Sequence, residues 1–183
     1  MLVLSVLLVF ALSLTVLVNP SSAQQPLSTV IILPDGTVSP STAPITQNED
    51  TYIFTDNLYA RIIIQKSNIV VNGAGYTLRG PYNGTATNNW VVGEGPNQDP
   101  NGTFADYIIG VDFGGENVDG ITIENLNIKN FSIGMYVWTK NNTVKGNNFS
   151  DNIVGLLVSG SNQTITDNYI ANNQRGLFFG FNN

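Results

Sequence analysis

The 183-residue sequence contains no cysteine and no histidine. Without cysteine there is no disulfide, no thiolate metal ligand and no thiol nucleophile. Without histidine there is no Ser-His-Asp triad, no imidazole-held zinc or copper, and no imidazole general base near neutral pH. Charge is scarce too: 11% of residues are charged, against about a quarter in an average soluble domain. Seven Lys and Arg stand against thirteen Asp and Glu, a net charge of −6. That balance excludes the basic stripe with which a nucleic-acid binder neutralises phosphate. After residue 24 no stretch of about twelve residues carries a helical apolar period. What is abundant is asparagine, at 25 residues, and an apolar fraction of 42% that suffices for one core in one domain.

Residues 1–23 read as a signal peptide or a membrane anchor. Met1 to Val18 runs MLVLSVLLVFALSLTVLV, with no polar face that would let it pack as an ordinary core helix. Asn19-Pro20 stops a helix, and Ser21-Ser22-Ala23 offers small residues for cleavage before Gln24. No Lys or Arg precedes Arg61, so either the α-amino group supplies the leader's positive charge or the true start lies upstream. The run is at the short end of what spans a bilayer, about 17–25 residues. Both readings make the protein secreted or displayed at the cell surface.

The remainder is a repeat with a period of 21. Gly134, Gly155 and Gly176 keep that step, as do Thr122, Thr143 and Thr164. So do Ile123, Val144 and Ile165, then Ile128, Phe149 and Ile170, then Asn130, Asp151 and Asn172. After each glycine come Met135, Leu156 and Leu177, and then Val137, Val158 and Phe179. Within a unit, short apolar alternations such as Thr143-Val144, Asn148-Phe149 and Gly155-Leu156-Leu157-Val158 are separated by Asn, Gly and Ser. Alternation predicts strands and the Asn/Gly clusters predict left-handed turn residues. The expected fold is therefore all-β, a right-handed parallel β-helix with three short strands per coil of about 21 residues. A leucine-rich repeat has a similar unit length but needs a leucine consensus that is missing here.

Stacking at about 4.8 Å puts equivalent residues directly above one another. Asn147 with Asn168, and Asn152 with Asn173, are thus expected as inward amide ladders, each Asn donating to the carbonyl of its copy one coil away. Leu126 and Phe131 hold those places in the first copy. Residues 27–66 are expected to form an N-terminal cap and the first coils, with strand-like runs at Thr29 to Leu33, Tyr52 to Phe54 and Ile62 to Ile64 and a turn at Asp35-Gly36. Residues 67–183 are the coils proper. Residues 81–106, PYNGTATNNWVVGEGPNQDPNGTFAD, interrupt them as a loop excursion, and the stack resumes at Gly110 to Phe113. Asn182-Asn183 bears no capping signal, so the chain reads as the N-terminal part of a longer repeat protein.

The pattern N-x-T-[IV]-x-x-N-x-[IF]-x-[ND]-N-x-x-G-[IL]-x-[LV], at Asn141 to Val158 and Asn162 to Phe179, resembles the right-handed parallel β-helix repeat family. It is most similar to its secreted, NosD-like group of carbohydrate-binding and sugar-hydrolase β-helix domains. Asn68 to Gly80 resembles the opening segment of such domains in cell-surface proteins. The resemblance covers roughly 27–183 apart from the excursion, and it implies fold more sharply than activity. NosD is tied to maturation of a copper enzyme, but this sequence has no His, no Cys and two Met, one of them the start. The Gly-His-Gly motif of pectinase-type members is missing; the resemblance to pectate-lyase-type members implies instead a carboxylate cluster for calcium with a basic proton acceptor.

Four features stand out as candidate sites. In the strand after each glycine, Asp112, Tyr136, Leu157 and Phe178 are expected to face outward in one row, with Trp138 on the same side. Such an aromatic row suits the apolar faces of a saccharide; the competing expectation is that the excursion folds over the row and buries it. The excursion itself brings Tyr82, Trp90 and Phe104. Asp106, Asp112, Glu116 and Asp119 are weak calcium candidates, or a carboxylate pair for glycoside chemistry, against the plainer reading of solvated surface acids. Arg79 and Lys129 are the conceivable lyase bases. Sequons occur at Asn83, Asn101, Asn130, Asn141, Asn148 and Asn162, with Asn83 and Asn101 the preferred glycosylation candidates.

Together these point to an extracellular module without catalysis of its own and without a cofactor beyond that calcium option. Its partner would be a polysaccharide or cell-surface glycan. The alternatives are the N-terminal part of a polysaccharide lyase or glycoside hydrolase whose catalytic groups lie beyond residue 183, and a structural spacer of a cell-envelope layer.

Overall fold

The computed structural model describes residues 26–83 and 108–180. The leader 1–23, Trp90, Asn101, Phe104, Asp106 and the rest of the excursion after Asn83 lie outside these residues. The described residues contain seventeen strands and no α-helix. In order they are β1 (Ser28–Ile32), β2 (Val38–Ser39), β3 (Ile45–Asn48), β4 (Thr51–Phe54), β5 (Leu58–Ile64), β6 (Val70–Asn72), β7 (Thr77–Arg79), β8 (Ile109–Phe113) and β9 (Thr122–Glu124). There follow β10 (Asn127–Lys129), β11 (Ile133–Val137), β12 (Thr143–Lys145), β13 (Asn148–Ser150), β14 (Val154–Val158), β15 (Thr164–Thr166), β16 (Tyr169–Ala171) and β17 (Arg175–Phe179).

The strands stack into three walls. The first wall runs β2, β1, β5, β8, β11, β14, β17; the second runs β5, β7, β10, β13, β16; the third runs β3, β4, β6, β9, β12, β15. The long strand β5 joins the first two, because its start pairs with β7 (Leu58 opposite Leu78) and its end with β8 (Ile62 opposite Val111). All pairings are parallel except β1 with β2 and β3 with β4. The result is an all-β, mostly parallel and nearly closed solenoid. Thr143 lies opposite both Thr122 and Thr164, Phe149 opposite Ile128 and Ile170, and Leu156 opposite Met135 and Leu177. Inward residues of all three walls, among them Ile123, Val144, Ile128, Phe149, Met135 and Leu156, share one buried core.

The corners explain the asparagines. Positive φ recurs at Gly120, Asn141 and Asn162, at Asn125, Gly146 and Asp167, and at Asn130, Asp151 and Asn172. Glycine, Asn and Asp are the residues that tolerate this left-handed backbone. The residue after each corner turns inward, and in the middle rung that residue is Asn142, Asn147 or Asn152, each 1% exposed. Asn147 Nδ2 donates to the Ile123 and Lys145 carbonyls at 2.9 and 3.1 Å, while its Oδ1 accepts the Leu126 N–H at 3.1 Å. Asn152 repeats this with Ile128 O at 3.1 Å and Phe131 N–H at 2.9 Å. Asn142 Oδ1 accepts the Ile121 N–H at 3.0 Å, and Gln163 Oε1 accepts the Asn142 N–H at 3.2 Å, a third ladder that the residue pattern had not suggested.

Gly134, Gly155 and Gly176 also stack. A Cβ on Gly134 would stand 2.5 Å from the Gly155 carbonyl oxygen, and one on Gly155 would stand 2.7 Å from that of Gly176. Both are far inside van der Waals contact, so neither Gly134 nor Gly155 has room for a side chain. At the two ends the solenoid differs. Antiparallel β2 and β3 edge the first and third walls, and Tyr52, fully buried, donates its hydroxyl to the Gly36 carbonyl at 2.7 Å. In the last described rung the inward row is uncovered: Phe179 is 62% exposed where Val158 is 4%.

Candidate functional site

The outer face of the first wall carries two rows. One runs Ile109, Ile133, Val154, Arg175; the other runs Ile63, Asp112, Tyr136, Leu157, Phe178. Alternation with the inward Met135 and Val137 puts the second row outside the core. The first row lies three residues earlier on each strand, and Ile109, Ile133 and Val154 join the outer side by packing with Leu157 in a cluster separate from the main core. They do not form a bare aromatic stripe. Leu157, in the middle, is 1% exposed and packs with Ile133, Ile153 and Val154 in a second apolar cluster, with Tyr82, Ile109, Tyr136 and Phe178 around it.

Tyr82 is fastened across this cluster. Its N–H donates to the Asn130 carbonyl at 2.8 Å, its carbonyl accepts Asn130 Nδ2 at 2.7 Å, and its hydroxyl accepts Gln174 Nε2 at 2.9 Å. A shallow pocket of about 180 Å³, lined by Pro81, Tyr82, Asn83, Ile108 and Ser132, lies at the foot of the excursion. At the far end of the row the Arg175 guanidinium sits 5.4 Å from the centre of the Phe178 ring, a cation–π distance.

The other end of the row is polar. Asp112 stands opposite Tyr136, and the Tyr136 and Trp138 rings lie 6.4 Å apart at 30°. The Asp112 carboxylate is largely shielded, its side chain 24% exposed. Burial pushes its pKa up, and the Arg61 guanidinium opposes that shift. Arg61 approaches Asp112 Oδ2 to 3.9 Å, which is an ion pair but too long for a hydrogen bond. Arg61 Nε is shielded and has no hydrogen-bond partner. Chemically this end places aromatic rings beside a carboxylate and a guanidinium.

The remaining candidates disperse. Asp119 Oδ1 accepts the Lys140 N–H at 2.8 Å, Glu116 is exposed on the loop after β8, and Asp112 lies on the wall. Among the described residues no three carboxylates gather where a metal ion would be held. Arg79 and Lys129 stand opposite one another in β7 and β10, on the second wall rather than beside Asp112. Of the sequons, Asn83, Asn141 and Asn162 are exposed, Asn162 Nδ2 donating to Asn141 Oδ1 at 3.2 Å; Asn130 is tied to Tyr82, and Asn148 Oδ1 is buried.

Three contributors escaped the residue pattern. Ile133 and Val154 precede Gly134 and Gly155 at the same 21-residue step, so their row was visible in principle. Arg61 carried a weaker signal, a lone cation inside the apolar run of β5. Compared with models of known families, with curated proteins and with solved structures, the chain matches none.

Proposed function

We propose that the chain is a right-handed parallel β-helix of the NosD-like kind, with 21-residue coils. We infer that it works outside the cytoplasm as a non-catalytic module that binds a polysaccharide or cell-surface glycan. The observation that carries the reading is the Tyr136–Trp138 ring pair, held beside Asp112 on the outer face of a rigid wall. Aromatic faces contact the C–H surfaces of sugars, and a stiff sheet presents them without an ordering cost. Low charge and the lack of histidine and cysteine fit binding better than acid–base or nucleophilic chemistry.

Retention on immobilised neutral and acidic polysaccharides tests this. Wild type is expected to be retained without releasing reducing or unsaturated ends, and Tyr136→Ser combined with Phe178→Ser to lose retention. Released ends would instead favour a lyase or hydrolase, and no retention on any polysaccharide would favour a structural spacer.

A further inference from the structure

Arg61 and Asp112 lie diagonally across the neighbouring strands β5 and β8 of the first wall, 3.9 Å apart, with side chains 32% and 24% exposed. Their attraction is electrostatic only, because the separation exceeds hydrogen-bond length. A guanidinium has five N–H donors and a carboxylate about four lone-pair sites. Asp112 stands opposite Tyr136 on the neighbouring strand, and the Tyr136 ring lies 6.4 Å from that of Trp138. Arg61 Nε has no partner although it is shielded. The Arg61 side chain as a whole is 32% exposed and its nearest nitrogen stops 3.9 Å short of Asp112, so a hydroxyl arriving from outside meets the terminal guanidinium nitrogens rather than the shielded Nε.

Resting on the carbohydrate reading above, we propose that Arg61, Asp112, Tyr136 and Trp138 form a subsite for an uncharged sugar ring bearing adjacent hydroxyls. One hydroxyl donates to Asp112 and its neighbour accepts from Arg61. The C–H face lies on the rings of Tyr136 and Trp138, one strand spacing of about 4.8 Å along the wall. The pair is electrically balanced, so it selects a dipolar donor–acceptor partner rather than an ion. A uronate carboxylate meeting Arg61 would also meet Asp112, on a chain whose net charge is already −6.

The test uses the full chain with dextran and galactan as neutral probes and polygalacturonate as the acidic one, each measured at low and high salt. Wild type is expected to bind a neutral polymer with an affinity that salt leaves unchanged, and to bind polygalacturonate at least tenfold more weakly. Arg61→Gln and Asp112→Asn are each expected to weaken neutral binding about tenfold or more, the loss of a hydrogen bond to a charged group. Should Asp112→Asn fail to fold, Arg61→Lys, which keeps the charge and loses the planar fork, is expected to weaken binding likewise. Unchanged binding by Arg61→Gln and Arg61→Lys, while Tyr136→Ser loses it, overturns the subsite and leaves the carbohydrate reading standing. Tighter, salt-sensitive binding of polygalacturonate overturns the neutral-sugar assignment. No binding of any polymer by wild type overturns the carbohydrate reading and the subsite with it.

Discussion

Asn147 Nδ2 donates to the side-chain oxygen of Asn168 at 3.1 Å, and that same oxygen accepts the backbone N–H of Asn147 at 3.0 Å. Asn152 and Asn173 repeat the arrangement at 3.0 and 2.9 Å. A polar side chain inside an apolar solenoid is tolerated because every donor and acceptor meets a partner on an adjacent rung. The ladders thereby tie each corner of one rung to the corner of the next.

Removing one ladder amide leaves several buried backbone groups unpaired. Asn147→Ala strips the acceptor from the Leu126 N–H and the donor from the Ile123 carbonyl. A loss of about 2–4 kcal/mol is expected in denaturant unfolding. Ser161→Ala, at an exposed turn position without a positive φ, is expected to stay within about 0.5 kcal/mol of wild type. Equal effects at the two positions would refute the ladder's role.

Gly134→Ala drives a methyl group against the Gly155 carbonyl. Backbone has to move, at a cost of about 1–3 kcal/mol, and thermal melting should show the drop. Gly115→Ala is the control, since its added carbon meets only a Val118 methyl at 3.2 Å.

Asp112 gives the stability a definite pH slope. Its pKa is raised in the folded state, first by burial, so the folded protein holds that proton more tightly than the unfolded chain does. The contribution is complete below the unfolded carboxylate's range and is lost as pH rises through the raised folded pKa. Denaturation at several pH values should therefore show Asp112→Asn losing less stability than wild type across that window. A steeper fall in the variant would contradict the assignment.

Tyr82 tests what secures the second apolar cluster. Tyr82→Phe removes only the Gln174 bond and is expected to cost about 0.5–1.5 kcal/mol. Tyr82→Ala also uncovers the cluster around Leu157 and is expected to cost more, in the same unfolding assay.

The repeated rungs were legible because their spacing does not vary: Thr122, Thr143 and Thr164 announce their own pairing. Runs expected at Tyr52 to Phe54 and Ile62 to Ile64 fall within β4 and β5. The short antiparallel strands β2 and β3 were not foreseen, since Ile45–Asn48 is mostly polar and exposed and carries no alternation. Pairings across the excursion were hidden as well. Ile62 lies opposite Val111 and Asn127 opposite Thr77, so the inserted residues break the 21-residue step. Alternation told which residues leave the core, placing Asp112 beside Tyr136, but it could not tell whether the outer face is covered at Leu157. Arg61 was missed because its partner lies across the same insertion.

The central claim is that rungs stack in parallel with each residue above its copy 21 positions away. The absence of cysteine allows clean labelling, and nitroxides at Thr143 and Thr164, which are directly paired, test it in one spectrum. The account predicts strong dipolar broadening from labels on strands about 4.8 Å apart, weaker in the Thr122 and Thr164 pair two rungs apart. Absent broadening at 143 and 164, or equal broadening in both pairs, would contradict the stack.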